Sequence, residues 1–149
     1  MGGAALLLPP RTRRRLHAAL AFLGRRDAAG YYYIVDRTKD MIITGGENVY
    51  SIEVERALAA HRGVAEVAIV GTPDDKWGEK VTAFVVLAPG SAVTESDLKV
   101  HCRNLIAGYK VPKSIYIEQA LPRTASGKIQ KDELRHQWRS RLASGCEAP

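Results

Sequence analysis

Two apolar runs joined by a short polar break limit what this chain can fold into. Residues 64–70 (Val-Ala-Glu-Val-Ala-Ile-Val) are rich in β-branched side chains. Residues 80–87 place Val81, Ala83, Val85 and Leu87 at alternate positions. The first run has the make-up of a largely buried strand, and the second has the period of a strand with a covered face. Thr72-Pro73-Asp74-Asp75 is expected to end the first, and Pro89-Gly90 the second. A sheet with an apolar face needs helices over it.

Three stretches supply helices. After Ser51, a fair N-cap, Val54, Ala57, Leu58 and His61 recur at helical spacing, with Glu53 and Glu55 in the early turns where the helix dipole favours anions. Thr94-Glu-Ser-Asp97 has the form of a capping box, followed by Leu98, His101, Cys102 and Leu105 on one face and a stop near Gly108. Leu134, Trp138 and Leu142 recur every four residues in a last helix. Residues 114–118 read as a short strand. Nearer the start, residues 31–35 and 41–43 are β-prone, and Asp36-Arg-Thr-Lys-Asp40 between them has the length of a hairpin connection. Thr44-Gly45-Gly46-Glu47-Asn48 reads as a turn or loop. The expected class is α+β: an N-terminal β-hairpin, then a small, mainly antiparallel three-stranded sheet packed with helices, in the order ββ-αββαβ-α. Regular βαβ alternation is lacking.

The net charge of +6 suggests nucleic acid at first sight. Its location argues otherwise. Residues 1–30 hold six arginines and one acid, Asp27, whereas residues 31–149 hold 16 basic and 15 acidic residues. A nucleic-acid domain carries its basic face on its folded part. Residues 1–26 are therefore set apart as an Arg-rich tail, whose composition fits a disordered segment or a mitochondrial presequence. The folded part is expected over 27–141, with a tail over 142–149. Cys102 and Cys146 are far apart and in no metal spacing, so no disulfide framework and no metal site is expected, and a cytoplasmic setting is the default. No apolar run approaches the roughly 18 residues of a membrane-spanning helix.

Four short motifs could carry chemistry, and each alone has a plain alternative. Arg123-Thr-Ala-Ser-Gly127-Lys128 is a small, polar, flexible loop with a lysine at its tip. It is not a phosphate-binding Walker loop, because Pro122 stands where that motif needs glycine and Ile129 where it needs Ser or Thr. By itself it reads as a solvated connection. Gly45-Gly46 permits positive φ and close approach of a ligand to backbone, or is simply a turn. Trp77, in Asp74-Asp-Lys-Trp77-Gly-Glu79, offers a flat apolar wall, or caps the core. Tyr109-Lys110-Val111-Pro112-Lys113 joins an aromatic to two cations, which suits a nucleotide or a solvated turn.

Taken in order, these motifs resemble one family. The run Asp36-Arg37-Thr-Lys39-Asp40-Met-Ile-Ile-Thr-Gly45-Gly46-Glu47-Asn48-Val-Tyr50, then Ile52-Glu-Val-Glu55, Val70-Gly-Thr-Pro-Asp74, Trp77-Gly78-Glu79, Tyr109-Lys-Val-Pro112 and Leu121-Pro-Arg-Thr-Ala-Ser-Gly-Lys128 is similar to the C-terminal lid domain of adenylate-forming enzymes. That superfamily groups acyl-CoA synthetases, luciferases and peptide-synthetase adenylation domains. Gly-Gly-Glu-Asn and Trp-Gly-Glu look most like the acyl-CoA synthetases.

The resemblance implies two half-reactions for the whole enzyme. A carboxylate attacks the α-phosphate of ATP, giving acyl-adenylate and pyrophosphate. The thiol of CoA then attacks the acyl-adenylate, giving thioester and AMP. It implies that Lys128 is the catalytic lid lysine of the first step, that Arg37 lies near the AMP ribose and that Lys39 is the hinge. It further implies that Gly45, Gly46 and Trp77 line the pantetheine channel, with Tyr109 and Lys110 beside the CoA nucleotide. Some relatives carry Arg at the position of Val111, which weakens the expected nucleotide contact. ATP and CoA are substrates of the full enzyme, and Mg2+ is expected in its large domain, with no metal on this chain. The family's large N-terminal domain, with its nucleotide and acyl pockets, is not recognisable before Tyr31. The expected partner is therefore such a domain, with no nucleic acid partner, and little or no ligase activity is expected from this chain alone. A stand-alone module that docks on a partner protein without chemistry is the alternative.

Overall fold

The computed structural model describes residues 22–37 and 40–143. Lys39 and most of the two tails lie outside the described residues. The elements are β1 (Phe22–Arg26), β2 (Tyr32–Arg37), β3 (Met41–Thr44), β4 (Glu47–Tyr50), α1 (Ser51–Ala59), β5 (Val64–Asp74), β6 (Gly78–Leu87), α2 (Glu95–Arg103), β7 (Ser114–Glu118) and α3 (Lys131–Ala143). The expected α+β class and element order hold, and the expected three-stranded sheet is extended to five strands. No helix among the described residues is long and apolar enough to cross a membrane.

β6 is the centre of that sheet. It pairs antiparallel with β5 along its whole length, from Val64↔Leu87 to Asp74↔Gly78. Its other edge is divided: β3 meets it at Thr44↔Gly78, and β7 runs parallel to it from Thr82↔Ser114 to Val86↔Glu118. Both faces of β6 are covered. Val81, Ala83 and Val85 face α1 and α2 together with Ile69, Leu58 and Leu98. Phe84 faces α3 with Ala68, Val70, Leu134 and Trp138. Tyr116 of β7 stacks on Phe84 at 5.4 Å between ring centroids. The result is helix, sheet, helix in three layers.

Several local expectations are corrected. The run 31–35 does not pair with 41–43; β2 pairs with β1, and β3 pairs with β4. β1 lies at the end of the Arg-rich segment, where charge masks a strand that Asp27 turns back: its Oδ1 accepts from the Tyr31 amide at 3.0 Å. The strand expected to stop at Val70 continues through Pro73 to Asp74. β5 is an edge strand, where a missing N–H is tolerated, and Thr72 and Thr82 share a buried hydroxyl hydrogen bond of 2.7 Å. Ser51 is not an N-cap but the first helical residue of α1, fully buried. His61 falls beyond the end of α1, where its Nδ1 accepts from the Gly63 amide. Leu142 is exposed rather than packed. The capping box stands as read: Thr94 Oγ1 accepts from the Asp97 amide at 3.2 Å, and Asp97 accepts in return from the Thr94 amide at 3.0 Å.

Three strand amides have no strand opposite them and are met by glutamates. Ile43 N–H donates to Glu79 at 2.9 Å, Ile69 N–H to Glu55 at 3.0 Å and Ile115 N–H to Glu95 at 3.3 Å. Where such an amide is withdrawn from water, as for part-buried Ile69 and Ile115, leaving it without an acceptor costs up to about 1–3 kcal/mol.

Phe84→Ala empties the centre of the α3 layer. It is expected to cost about 3–5 kcal/mol, read as a lowered midpoint in urea unfolding at unchanged slope.

Candidate functional site

The structure brings the candidate residues together in two groups. The first surrounds Lys128. Thr124 and Gly127 close a tight turn: Gly127 N–H donates to Thr124 O at 2.9 Å, Thr124 N–H to Lys128 O at 2.8 Å and Lys128 N–H to Thr124 Oγ1 at 3.1 Å. Gly127 supplies the left-handed residue, φ +83°, which a side chain disfavours. Gln130 N–H reaches back to Pro122 O at 2.8 Å, and Arg123 and Ile129 form an isolated antiparallel bridge. The loop expected to be flexible is therefore closed on itself.

Arg123 fastens this turn to the sheet. Its guanidinium donates to Gly127 O at 2.6 Å and pairs with Glu66 of β5 at 2.8 Å. Lys128 itself is exposed, and no acceptor among the described residues holds its ammonium. It borders an open groove of about 900 Å³ shared with Asp40, Glu55, Lys131 and His136. A cation with its backbone fixed and its charge uncommitted can be offered to an anionic group on another surface.

The second group lies at two hairpin tips. Gly45 and Gly46 form the two-residue turn of the β3–β4 hairpin, at φ +58° and +85°. Positive φ at both positions is the geometry that glycine suits. Asp74 Oδ1 accepts from the amides of Lys76 and Trp77, and Gly78 at φ +75° completes the β5–β6 turn. That turn sets Trp77 against Gly45. Gly45 N–H donates to Trp77 O at 2.9 Å, and a Cβ on Gly45 would lie 2.8 Å from the indole. Nothing lies within 4 Å of such an atom on Gly46. Trp77 remains 39% exposed, with Lys76 Nζ 4.9 Å and Lys113 Nζ 5.5 Å from its ring.

Tyr109 and Lys110 are in a 3-10 turn, Gly108–Lys110. Tyr109 is exposed, but Lys110 is not free. It donates to both oxygens of Glu53 on α1, at 2.7 and 2.8 Å. That hydrogen bond raises its pKa above the ordinary lysine value of 10.5. Lys110 also lies over the Tyr109 ring at 5.6 Å, whereas Lys113 is the cation of this motif that reaches Trp77, and its amide donates to Val81 O at 2.9 Å. Arg37 is the last residue of β2, paired with Phe22 in the β1–β2 ladder. Among the described residues no three His, Cys, Asp or Glu side chains converge as a metal centre requires.

Sequence reasoning counted Lys113 only as one of the two cations beside Tyr109 and gave no role of their own to Arg123 or Lys131. Arg123 and Lys131 act through partners far along the chain, which no motif reveals.

Comparison with known proteins places these groups in context. Residues 53–128 match the family of the AMP-binding enzyme C-terminal domain. A 2-succinylbenzoate–CoA ligase of Listeria monocytogenes is 44% identical over 113 residues, which is 76% of this chain and 24% of that protein. A long-chain-fatty-acid–CoA ligase of Mycobacterium tuberculosis is 47% identical over 116 residues, 78% of this chain and 23% of that one. The solved structure of ATP-bound MatB from Rhodopseudomonas palustris superimposes with a TM-score of 0.74 at 39% identity, over 79% of this chain and 24% of that one. The chain thus spans about a quarter of the length of these relatives.

Two tests follow from this geometry. Gly46→Ala is expected to cost roughly 1–2 kcal/mol, the penalty of a left-handed non-glycine residue. Gly45→Ala is expected to cost more and to displace the indole, read as greater iodide quenching of tryptophan fluorescence. Lys110 titrates higher folded than unfolded, so its contribution is complete below the ordinary lysine range and fades as pH rises through the raised value. Unfolding between pH 7 and 11 should show a fall in stability at the alkaline end that Lys110→Met reduces.

Proposed function

The chain belongs to the AMP-binding enzyme C-terminal domain family, and from that premise we propose that it is the lid domain of an ATP-dependent acyl-CoA ligase. The observation that carries the reading is Lys128: an ammonium with no acceptor among the described residues, at the tip of a turn whose backbone is hydrogen-bonded to itself. Adenylation brings a carboxylate up to a phosphate, two anions that repel. A compact cation already in place between them lowers that repulsion and stabilises the charge of the transition state. Lys39 is the hinge in this reading, and Arg37 meets the AMP ribose.

The other group suits the second half-reaction. Gly46 leaves open backbone next to Gly45, which is itself packed on Trp77, and such a surface suits a slender chain such as pantetheine. Tyr109 offers an exposed ring to the CoA nucleotide. Lys110 is committed to Glu53, so Lys76 and Lys113, which flank Trp77, are better placed for phosphates alongside that channel. The acyl and adenine pockets, and the Mg2+ that accompanies ATP, belong in this reading to a large adenylation domain, the partner on which the chain acts.

Mixing the chain with an isolated large domain of a relative tests this directly. Restored pyrophosphate release and thioester formation are expected. Lys128→Ala is expected to slow adenylation about 100- to 1,000-fold, the usual effect of losing one preorganised charge contact, and to leave thioester formation from supplied acyl-adenylate nearly unchanged. Equal loss in both steps overturns the role of Lys128. Docking without turnover instead assigns the chain as a binding module.

A further inference from the structure

Nothing among the described residues holds the ammonium of Lys128, so its position depends on what holds the chain on either side of it. On the far side, α3 begins at Lys131, three residues on. Lys131 and Arg135 are one helical turn apart and project from the same side of α3. Each ends on a partly or fully buried acid. Lys131 Nζ lies 2.7 Å from Glu55 Oε1 and 2.7 Å from the Oγ of fully buried Ser51. Both members of the ion pair are only 18% exposed. The same Glu55 oxygen accepts the Ile69 amide at 3.0 Å, so one atom joins α1, β5 and α3. Arg135 lies 3.2 Å from Asp40, whose side chain is 7% exposed, and 2.7 Å from Asp132.

The apolar face of α3 is seated by Leu134 and Trp138 in the core beneath. Hydrophobic packing is non-directional. It holds a helix down while leaving its rotation and axial slip weakly determined. Two charged contacts on the flank define both. Ion pairs largely withdrawn from water are weak sources of net stability, and in some proteins they select one arrangement. Here that arrangement joins three things: the turn of Lys128, the face of α1, and Asp40, the residue that follows the hinge position.

We propose that Lys131 and Arg135 are positioning residues, which fix the lid lysine against α1 and against the exit of the hinge so that Lys128 moves with the hinge as one body. The proposal rests on the reading of Lys128 as the lid lysine. The charges of Lys131 and Arg135 are taken up by Glu55 and Asp40, so in this proposal they act through Lys128. Lys131 also shares the groove with Lys128, and its pairing with Glu55 leaves Lys128 as the uncommitted ammonium there.

Removing Lys131 alone leaves a buried carboxylate unpaired and can unfold the chain. The paired variant E55Q/K131M removes both charges and keeps an acceptor for the Ile69 amide. In the chain by itself, 15N relaxation at the Lys128 amide reports the tether. The order parameter is expected to fall from about 0.85 towards 0.6, while the order of β6 amides stays unchanged. K131R keeps the pair and is expected to restore the wild-type value.

In the mixture with a large domain, E55Q/K131M is expected to slow adenylation at least about tenfold, with K131R within about threefold of wild type. Thioester formation from supplied acyl-adenylate should hold, a split that a general loss of stability does not produce. D40N/R135M is the second arm, with the same expected split. Unchanged Lys128 order in both paired variants overturns the proposal. So does equal slowing of both steps, or unchanged adenylation in a mixture where Lys128→Ala does slow it. If Lys128→Ala has no effect there, the lid-lysine reading fails, and the relaxation arm still decides the tether.

Discussion

The five-stranded sheet and the helices on it are referred to β6, because that strand has both faces buried and strands on both edges. Val81, Ala83 and Val85 point one way and Phe84 the other, so a one-residue slip would exchange two differently shaped cores. The register of β6 is therefore strongly determined, and the chemistry inherits it. Trp77 immediately precedes β6, and Gly45 donates to the Trp77 carbonyl. Lys113 reaches its place by donating its amide to Val81. The aromatic, the glycine turn and the cation beside it are thus all set by one strand, although they are far apart in the chain.

The divided edge of β6 creates a problem that the glutamates solve. β3 and β7 share that edge, and each has a stretch of backbone with no strand beside it. β5 has an open outer edge. Glu79, Glu95 and Glu55 each meet one of the resulting amides. A carboxylate binds an amide more strongly than a neutral acceptor does, and it discourages another strand from adding to the edge. Glu55 and Glu95 each also pair with a lysine, Lys131 and Lys99. Through Glu55 the outer edge of β5 and the positioning of α3 share one contact.

What could be read in the sequence was local. The capping box at Thr94, the strand at Ser114 and the alternation of β6 depend on neighbours a few positions apart, and the pattern states them. The order of motifs pointed to the fold family for the same reason. β4 was legible in principle, since Gly45-Gly46 stands between Met41-Ile-Ile and Val49-Tyr50, the form of a two-residue hairpin. The polar residues Glu47 and Asn48 concealed it. Glu53 illustrates what could not be read. Its place in the first turn of α1 suggests a helix-dipole partner, yet it holds Lys110, 57 positions away. Arg123 with Glu66 and Lys131 with Glu55 are of the same kind. Such pairings exist only once the sheet has brought distant segments together.

The turn at Lys128 shows how a plain motif becomes an ordered one. Read as sequence, Thr-Ala-Ser-Gly-Lys is small, polar and flexible, and flexibility counts against a charge that must be placed. Ordering a residue's backbone costs roughly 1–2 kcal/mol, and a loose loop would meet that cost each time it engaged. Here Thr124, Gly127 and Arg123 have already ordered the backbone on folding. Only the side-chain rotations of Lys128 remain to be restricted when it meets an anion. The small residues are needed because Gly127 takes a left-handed conformation and Thr124 must fold its hydroxyl back onto the Lys128 amide. The same composition that suggests a loose connection is therefore what allows a rigid one, and rigidity is what the proposed role of Lys128 as a preorganised charge requires.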